Sequence, residues 1–248
     1  MNLSNRRLKS AIKSLIPSNV YESAKRALLR RSQFVSQAGQ DFWVYGECFN
    51  EMREGYFIDI GAHDGVFLSN SLILESRYAW KGICVEANPE SFVRLVRNRR
   101  ASCCHTCLDG HAGTVQFATK GVMGGIVDTG MDNTESDECE IMQIQAVTLQ
   151  HLLEENNAPR IIDYMSIDIE GAEDRVLGNF DFSAYCFNCI SIERPSAMLR
   201  GRFRDFDYHL VRDIPGLDCC YIHESFRDRY VTNMYNFYNK KYLSVRWS

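Results

Sequence analysis

The sequence predicts an α/β protein: one mostly parallel sheet with helices on both faces. Three observations predict it. Short apolar runs alternate with helical segments from residue 56 to residue 193, the pattern of strands buried by crossover helices. The first run, Tyr56–Ile60, passes into a loop holding Gly61 and Gly65, and glycine permits a tight turn and a close ligand. A late pair of runs, Tyr208–Arg212 and Cys219–His223, flanks Pro215–Gly216 and predicts an antiparallel edge.

In chain order, Val66 to Tyr78 reads as a helix and Gly82–Glu86 as a second buried strand. Pro89 opens a helix at a position that tolerates proline, with Phe92, Val93, Leu95 and Val96 as its apolar face. Ser102–Leu108 is the third strand. Gly113–Thr119 and Ile141–Val147 read as an extra hairpin or edge strands. Thr148 caps a helix that turns Leu149, Leu152 and Leu153 inward. Ile161–Asp168 and Phe187–Glu193 are strands, with a helix beginning at Ala172–Leu177 between them.

With 248 residues and 45% hydrophobic content, the chain supports one sizeable core plus an appendage. The division falls at residues 1–35, a basic amphipathic helical extension, and residues 36–248, the α/β domain. Residues 1–31 carry eight basic side chains against Glu22 alone, a net +7; the remaining 20 basic and 31 acidic residues give −11. The basic arm is expected to meet an anionic membrane surface, or else to pack on the domain or against a second copy. An Arg-rich, acid-poor start also resembles a transit peptide. The acidic body is not built for nucleic acid. No apolar stretch is long enough to cross a bilayer, so a cytoplasmic protein, peripheral at the membrane, is expected. Of the ten cysteines, the pairs Cys104/Cys107 and Cys186/Cys189 have zinc-ligand spacing. They sit at strand edges rather than in glycine-rich turns, and buried reduced thiols are expected instead.

Ligands of open α/β sheets bind beyond the carboxyl ends of the strands. The first strand ends Asp59-Ile60-Gly61-Ala62-His63-Asp64-Gly65 and the second ends in Glu86. A carboxylate there accepts hydrogen bonds from both hydroxyls of a ribose. A dinucleotide would need Gly-x-Gly-x-x-Gly facing a pyrophosphate. Here the spacing is Gly61-x-x-x-Gly65 and the loop carries Asp64, which favours S-adenosyl-methionine, a cofactor with a sulfonium, an ammonium and no phosphate.

These residues, with Ser36-Gln37-Ala38-Gly39-Gln40-Asp41, Ser69-Asn70-Ser71, Trp80 to Pro89 and Asp163 to Glu173, resemble the FkbM family of S-adenosyl-methionine-dependent methyltransferases. The resemblance runs from about Ser36 to about His223. It implies a Rossmann-like class I methyltransferase fold with seven strands in the order 3-2-1-4-5-7-6, the last inserted strand antiparallel. It implies a cofactor site of Gln40, Asp59, Gly61, Ala62, His63, Gly65, Asn70, Glu86, Ala87 and Asp168, with the adenine near Asp109 and Gly110. It also implies O-methylation of a glycan, glycolipid or other small-molecule hydroxyl. Family members often follow the strand-five glutamate with His-Asn, whereas this chain has Arg194-Pro195.

An alcohol acceptor must lose its proton as it attacks, to a base within hydrogen-bond reach. Asp168 or Glu170 is the expected base, with Glu193 orienting the acceptor; Glu173 can equally be a carboxylate in a helix's first turn. A further reading has Asp168 and Glu193 hold magnesium, a cation suited to oxygen ligands. The rival functions are methylation of a protein or small metabolite and an inactive fold used as an interaction module.

Overall fold

The computed structural model describes residues 34–119, 123–128, 133 and 140–246. The expected membrane arm, residues 1–31, lies outside them, as does all but the last two residues of the extension 1–35.

In chain order the strands are β1 (Tyr56–Ile60), β2 (Lys81–Glu86), β3 (Ser102–His105), β4 (Cys107–Leu108), β5 (Gly113–Ala118), β6 (Gly125–Ile126), β7 (Ile141–Val147), β8 (Ile161–Ile167), β9 (Cys186–Glu193), β10 (Tyr208–Asp213) and β11 (Asp218–His223). The helices are α1 (Leu72–Tyr78), α2 (Pro89–Asn98), α3 (Leu149–Glu155), α4 (Glu173–Gly178), α5 (Ala197–Asp205) and α6 (Arg227–Arg246). A turn at Gln40–Phe42 runs into a π-helical segment, Trp43–Cys48.

A seven-stranded sheet has the order β10-β11-β9-β8-β1-β2-β3. It is parallel from β3 to β9, and β11 runs antiparallel to β9 and β10. A second sheet, β4-β7-β5-β6, stands beside it. The expected order 3-2-1-4-5-7-6 numbered a chain without that second sheet. Here β4 to β7 fall between β3 and β8, so the numbering along the sheet differs.

Side chains alternate across β1 because the strand period is two. Ile58 and Ile60 face a core closed by Leu149, Leu152, Leu153, Val176 and Phe203. Phe57 faces the other core, closed by Trp43, Leu74, Leu95 and Phe237. The predicted Thr148 cap forms, its Oγ1 accepting from His151 N; the helix expected at Pro89 is capped by Asn88, whose Oδ1 accepts from Glu90 N and Ser91 N.

Three element expectations are corrected. The helix expected at Val66 begins at Leu72. Asp64 Oδ1 accepts from Val66 N and Phe67 N at 2.9 and 2.8 Å, and such side-chain bonds compete with the helix ladder. The strand expected over Ser102–Leu108 breaks at Thr106, whose hydroxyl turns to Gln145 O, and its two halves join different sheets. On α2, Leu95 is buried but Val93 and Val96 are each 51% exposed, because the 3.6-residue period puts them on another face. Cys104 lies on β3 and Cys107 on β4 of the second sheet, while Cys186 and Cys189 lie on β9, which β2, β1 and β8 separate from β3, so the pairs cannot share one ion. The nine described cysteines are all free thiols.

Candidate active site

Parallel pairing brings the carboxyl ends of β1, β2, β8 and β9 to one edge of the sheet. Asp59, Glu86, Asp168 and Glu193 stand there, with the Gly61–Gly65 loop among them. Gly61 N and Ala62 N both donate to Val85 O at 3.0 Å, and Asp168 N donates to Ile60 O. Gly61 has φ +83°, and a Cβ on it would lie 1.9 Å from Asp168 O. Glycine is required there on two counts, conformation and space.

Two cavities meet at Gly61, His63 and Asp168. The first is a narrow slot between Glu86 and the apolar side chains of Val85, Leu108, Phe117 and Ile126. It suits a flat, mostly apolar base with a ribose at one end. The Glu86 carboxylate is fixed by His63 N on Oε2 and Asn88 N on Oε1, both at 2.7 Å. Each oxygen keeps a second acceptor site for a hydroxyl. Burial pushes the Glu86 carboxyl up, and the two amides oppose that. His63 Nδ1 meets Ser91 Oγ at 3.0 Å, and burial pushes its ring down, toward the neutral form. Ala87 lines the slot as expected. Asp109 and Gly110 do not: Arg175 forks onto the Asp109 carboxylate and reaches Asp128 at 2.6 Å. Phe117 and Ile126 come from the second sheet, and no local signal in the sequence marked them as a cavity wall.

The second cavity, about 610 Å³, is bounded by Asp59, Ala62, Asn70, Ser166, Asp168 and Glu193. Asp59 accepts from Ser71 Oγ and lies 3.9 Å from Arg99. Burial pushes its carboxyl up while Arg99 and Ser71 pull it down. The Arg99 side chain is fully buried, pairs with Glu75, and donates to Ser71 Oγ at 2.9 Å and Ser69 Oγ at 3.3 Å. Sequence reasoning missed Arg99, because one arginine of the basic run Arg97-Asn98-Arg99-Arg100 carries no signal of its own. Asn70 Nδ2 donates to Ser166 Oγ at 2.9 Å, while its Oδ1 is buried with no partner in the protein. A buried acceptor left open asks for a donor, and an ammonium group supplies one. Gln40 accepts from Ala38 N and donates to Asp218, so its amide shapes the wall. Gly65, packed under Leu95 and Arg99, shapes the loop.

The acidic end of this cavity is concentrated. Ligand oxygens of Asp168, Glu170 and Glu193 all lie within 4.8 Å of one another. Desolvation, then the neighbouring Glu193, Glu170 and Asp218, push Asp168 up to about 9. Burial and the neighbouring carboxylates therefore favour the protonated form of Asp168. Burial likewise pushes Glu173 up to about 7, and it accepts from Ile169 N at 2.8 Å. Glu173 holds the loop rather than facing the cavity. Arg194 Nε meets Glu193 Oε1 at 2.9 Å, and its Nη2 lies 3.5 Å from Glu170 Oε2. Glu170 and Arg194 both have positive φ, 53° and 36°, an unfavourable conformation for such residues. Gln37 and Ser166 line the cavity from within the motif blocks but were not singled out, and Asp218, held by Gln40, acts on Asp168 by its charge.

A consequence for stability follows from Asp168. Unfolded, it titrates near 3.8; folded, near 9. The native state keeps a proton that the unfolded state has lost, so the stabilisation is full below about pH 4 and is lost as pH rises toward 9. The slope reaches at most about 1.4 kcal/mol per pH unit. Urea unfolding between pH 5 and 9 should show falling stability in the native chain. Asp168→Asn should flatten most of that fall, leaving the share of Glu173.

A family model described as the methyltransferase FkbM domain matches residues 59–214. That span runs from Asp59 through Glu193 to β10. No curated protein matches the chain.

Proposed function

Because this chain belongs to the FkbM methyltransferase family, we propose that it moves a methyl group from S-adenosyl-methionine to a hydroxyl of a glycan, glycolipid or related small metabolite. The observation that carries the donor assignment is the set of carboxylates at adjacent strand ends, Asp59, Glu86 and Asp168, around a glycine no larger residue can replace. S-adenosyl-methionine supplies an activated methyl on a sulfonium. The apolar slot takes its base, and Glu86 takes the ribose hydroxyls. Asn70 Oδ1 and Asp59 face its ammonium end.

The chain's own work is positioning and proton transfer. In-line displacement gains most from holding two reactants in register. A cation beside Asp168 lowers its pKa, so donor binding releases the Asp168 proton and leaves a carboxylate ready to accept one from the acceptor hydroxyl. Glu193, on the neighbouring strand end, orients that hydroxyl.

Magnesium is a second reading, favoured by the three carboxylates within 4.8 Å. Arg194 already supplies a cation to Glu193 and Glu170, so we favour a metal-independent reaction. A chelator is expected to leave the rate unchanged, and a rate lost to chelator and restored by Mg²⁺ would establish the metal. Among the described residues no helix is long and apolar enough to cross a membrane. Residues 1–31 are the proposed contact with an anionic membrane surface.

Calorimetry with S-adenosyl-methionine tests the donor assignment. Glu86→Ala removes two charge-assisted hydrogen bonds of roughly 1.5–3 kcal/mol each, so affinity should fall at least about a hundredfold. Undetectable binding in the native chain, or an unchanged Kd in the variant, refutes the assignment.

A further inference from the structure

At the acidic cavity stand three apolar side chains held in water, Phe67 and Leu68 on the glycine loop, 56% and 41% exposed, and Met123, 59% exposed; Val66, next to Phe67 in the chain, is 41% exposed. Single exposed apolar residues are ordinary. A group of them rimmed by carboxylates marks a binding surface. The loop that carries them is not a loose tip. Asp64 fixes Val66 N and Phe67 N, and His63 meets the Phe67 ring edge-to-face at 6.4 Å. Arg99 ties Gly65 O and Ser69 Oγ below. Leu68 sits at φ +54°, an unfavourable conformation for a branched apolar residue. The chain spends conformational energy to keep these side chains out of the core and at the mouth.

Phe67, Leu68 and Met123 line the same cavity as Asp168 and Glu193. A molecule filling that cavity touches both sets. We propose that the methyl acceptor is an uncharged amphiphile: its hydroxyl-bearing head enters between Asp168 and Glu193, and an alkyl or aryl portion lies across Phe67, Leu68 and Met123. The proposal rests on the methyltransferase reading above and narrows its acceptor class. Charge favours this occupant over an anionic lipid surface seated on the mouth. Glu170, Glu193 and Asp64 flank the apolar rim, and the Arg194 guanidinium is held by Glu193 and Glu170. An anionic head would meet those carboxylates.

The probes are butyl, hexyl and octyl β-D-glucoside, kept monomeric, titrated into the full chain with S-adenosyl-homocysteine present. If the rim takes the chain, affinity should rise about fourfold per methylene. Combined Phe67→Ser and Met123→Ser should flatten that dependence, and either change alone should reduce it, so the test survives if the double variant fails to fold. Val93→Ser with Val96→Ser, equally exposed side chains on α2, should leave it intact. Affinity independent of chain length, or a dependence that survives in the Phe67 and Met123 variants, overturns the proposal. So does a flat dependence together with rim-dependent binding to phosphatidylcholine vesicles, or with a dimer lost in the same variants. If S-adenosyl-homocysteine does not bind while the rim-dependent slope persists, the donor assignment fails and the amphiphile site stands.

Discussion

Asp168→Asn is expected to lower kcat by about 10²–10⁴-fold, the usual contribution of a positioned general base, and to weaken donor binding at pH 7, because the variant has no proton to release and no carboxylate to meet the cation. The two halves of this result have one cause. Burial and the neighbouring Glu193, Glu170 and Asp218 push Asp168 up to about 9, which favours its neutral form. Asparagine matches the neutral form in size and charge, so the cleft keeps its shape, but it cannot ionise when the cation binds. Asparagine cannot take a proton from the acceptor. The native chain should release a proton on binding donor, and calorimetry in buffers of different ionisation enthalpy reads that proton directly; the variant should release none from this site. Donor affinity of the native chain should accordingly rise with pH toward 9, because a cationic ligand favours the ionised carboxylate. A kcat within threefold of native, or equal proton release by the variant, would remove Asp168 from the base role and leave Glu170 as the carboxylate to test.

Gly61→Ala should abolish donor binding. The added Cβ would lie 1.9 Å from Asp168 O at a position with φ +83°, and no flexible side-chain end is there to yield. Either β1's exit or the β8 exit must move, and the two are joined by Asp168 N donating to Ile60 O at 3.1 Å. Overpacking of this kind costs typically about 1–3 kcal/mol, with left-handed strain added. A lower Tm and donor affinity reduced more than about a hundredfold are expected. Gly113→Ala is the control: a Cβ there meets nothing within 4 Å, and neither Tm nor affinity should change. Native donor binding in Gly61→Ala would show that the strand-end geometry is not what admits the donor.

What was legible in the sequence had local causes. Tyr56–Ile60 announced a buried strand by its apolar run, interrupted only by Asp59, and Gly61 and Gly65 announced a turn close to something. The strand-end positions of Asp59, Glu86, Asp168 and Glu193 followed from counting along each run. In an open parallel sheet those ends share one edge, so a one-dimensional pattern was enough to gather four carboxylates. Thr148 was legible as a cap because a cap contacts residues two or three positions away.

The tertiary structure alone decided the rest, wherever a side chain's partner is set by sheet register rather than by neighbours in the chain. Asp109 stands at a strand end like the others, yet Arg175, 66 residues on, takes its carboxylate. Phe117 and Ile126 form a wall of the slot because the second sheet folds over the first, which no periodicity records. Arg99 reaches Asp59 across 40 residues, and the apolar run at Val66 stays out of a helix because Asp64 caps its amides. The sequence by itself determined which carboxylates meet at the cleft. Which of them remain open to a ligand depended on long-range pairing, since a buried charge binds whatever counter-charge the fold brings within reach.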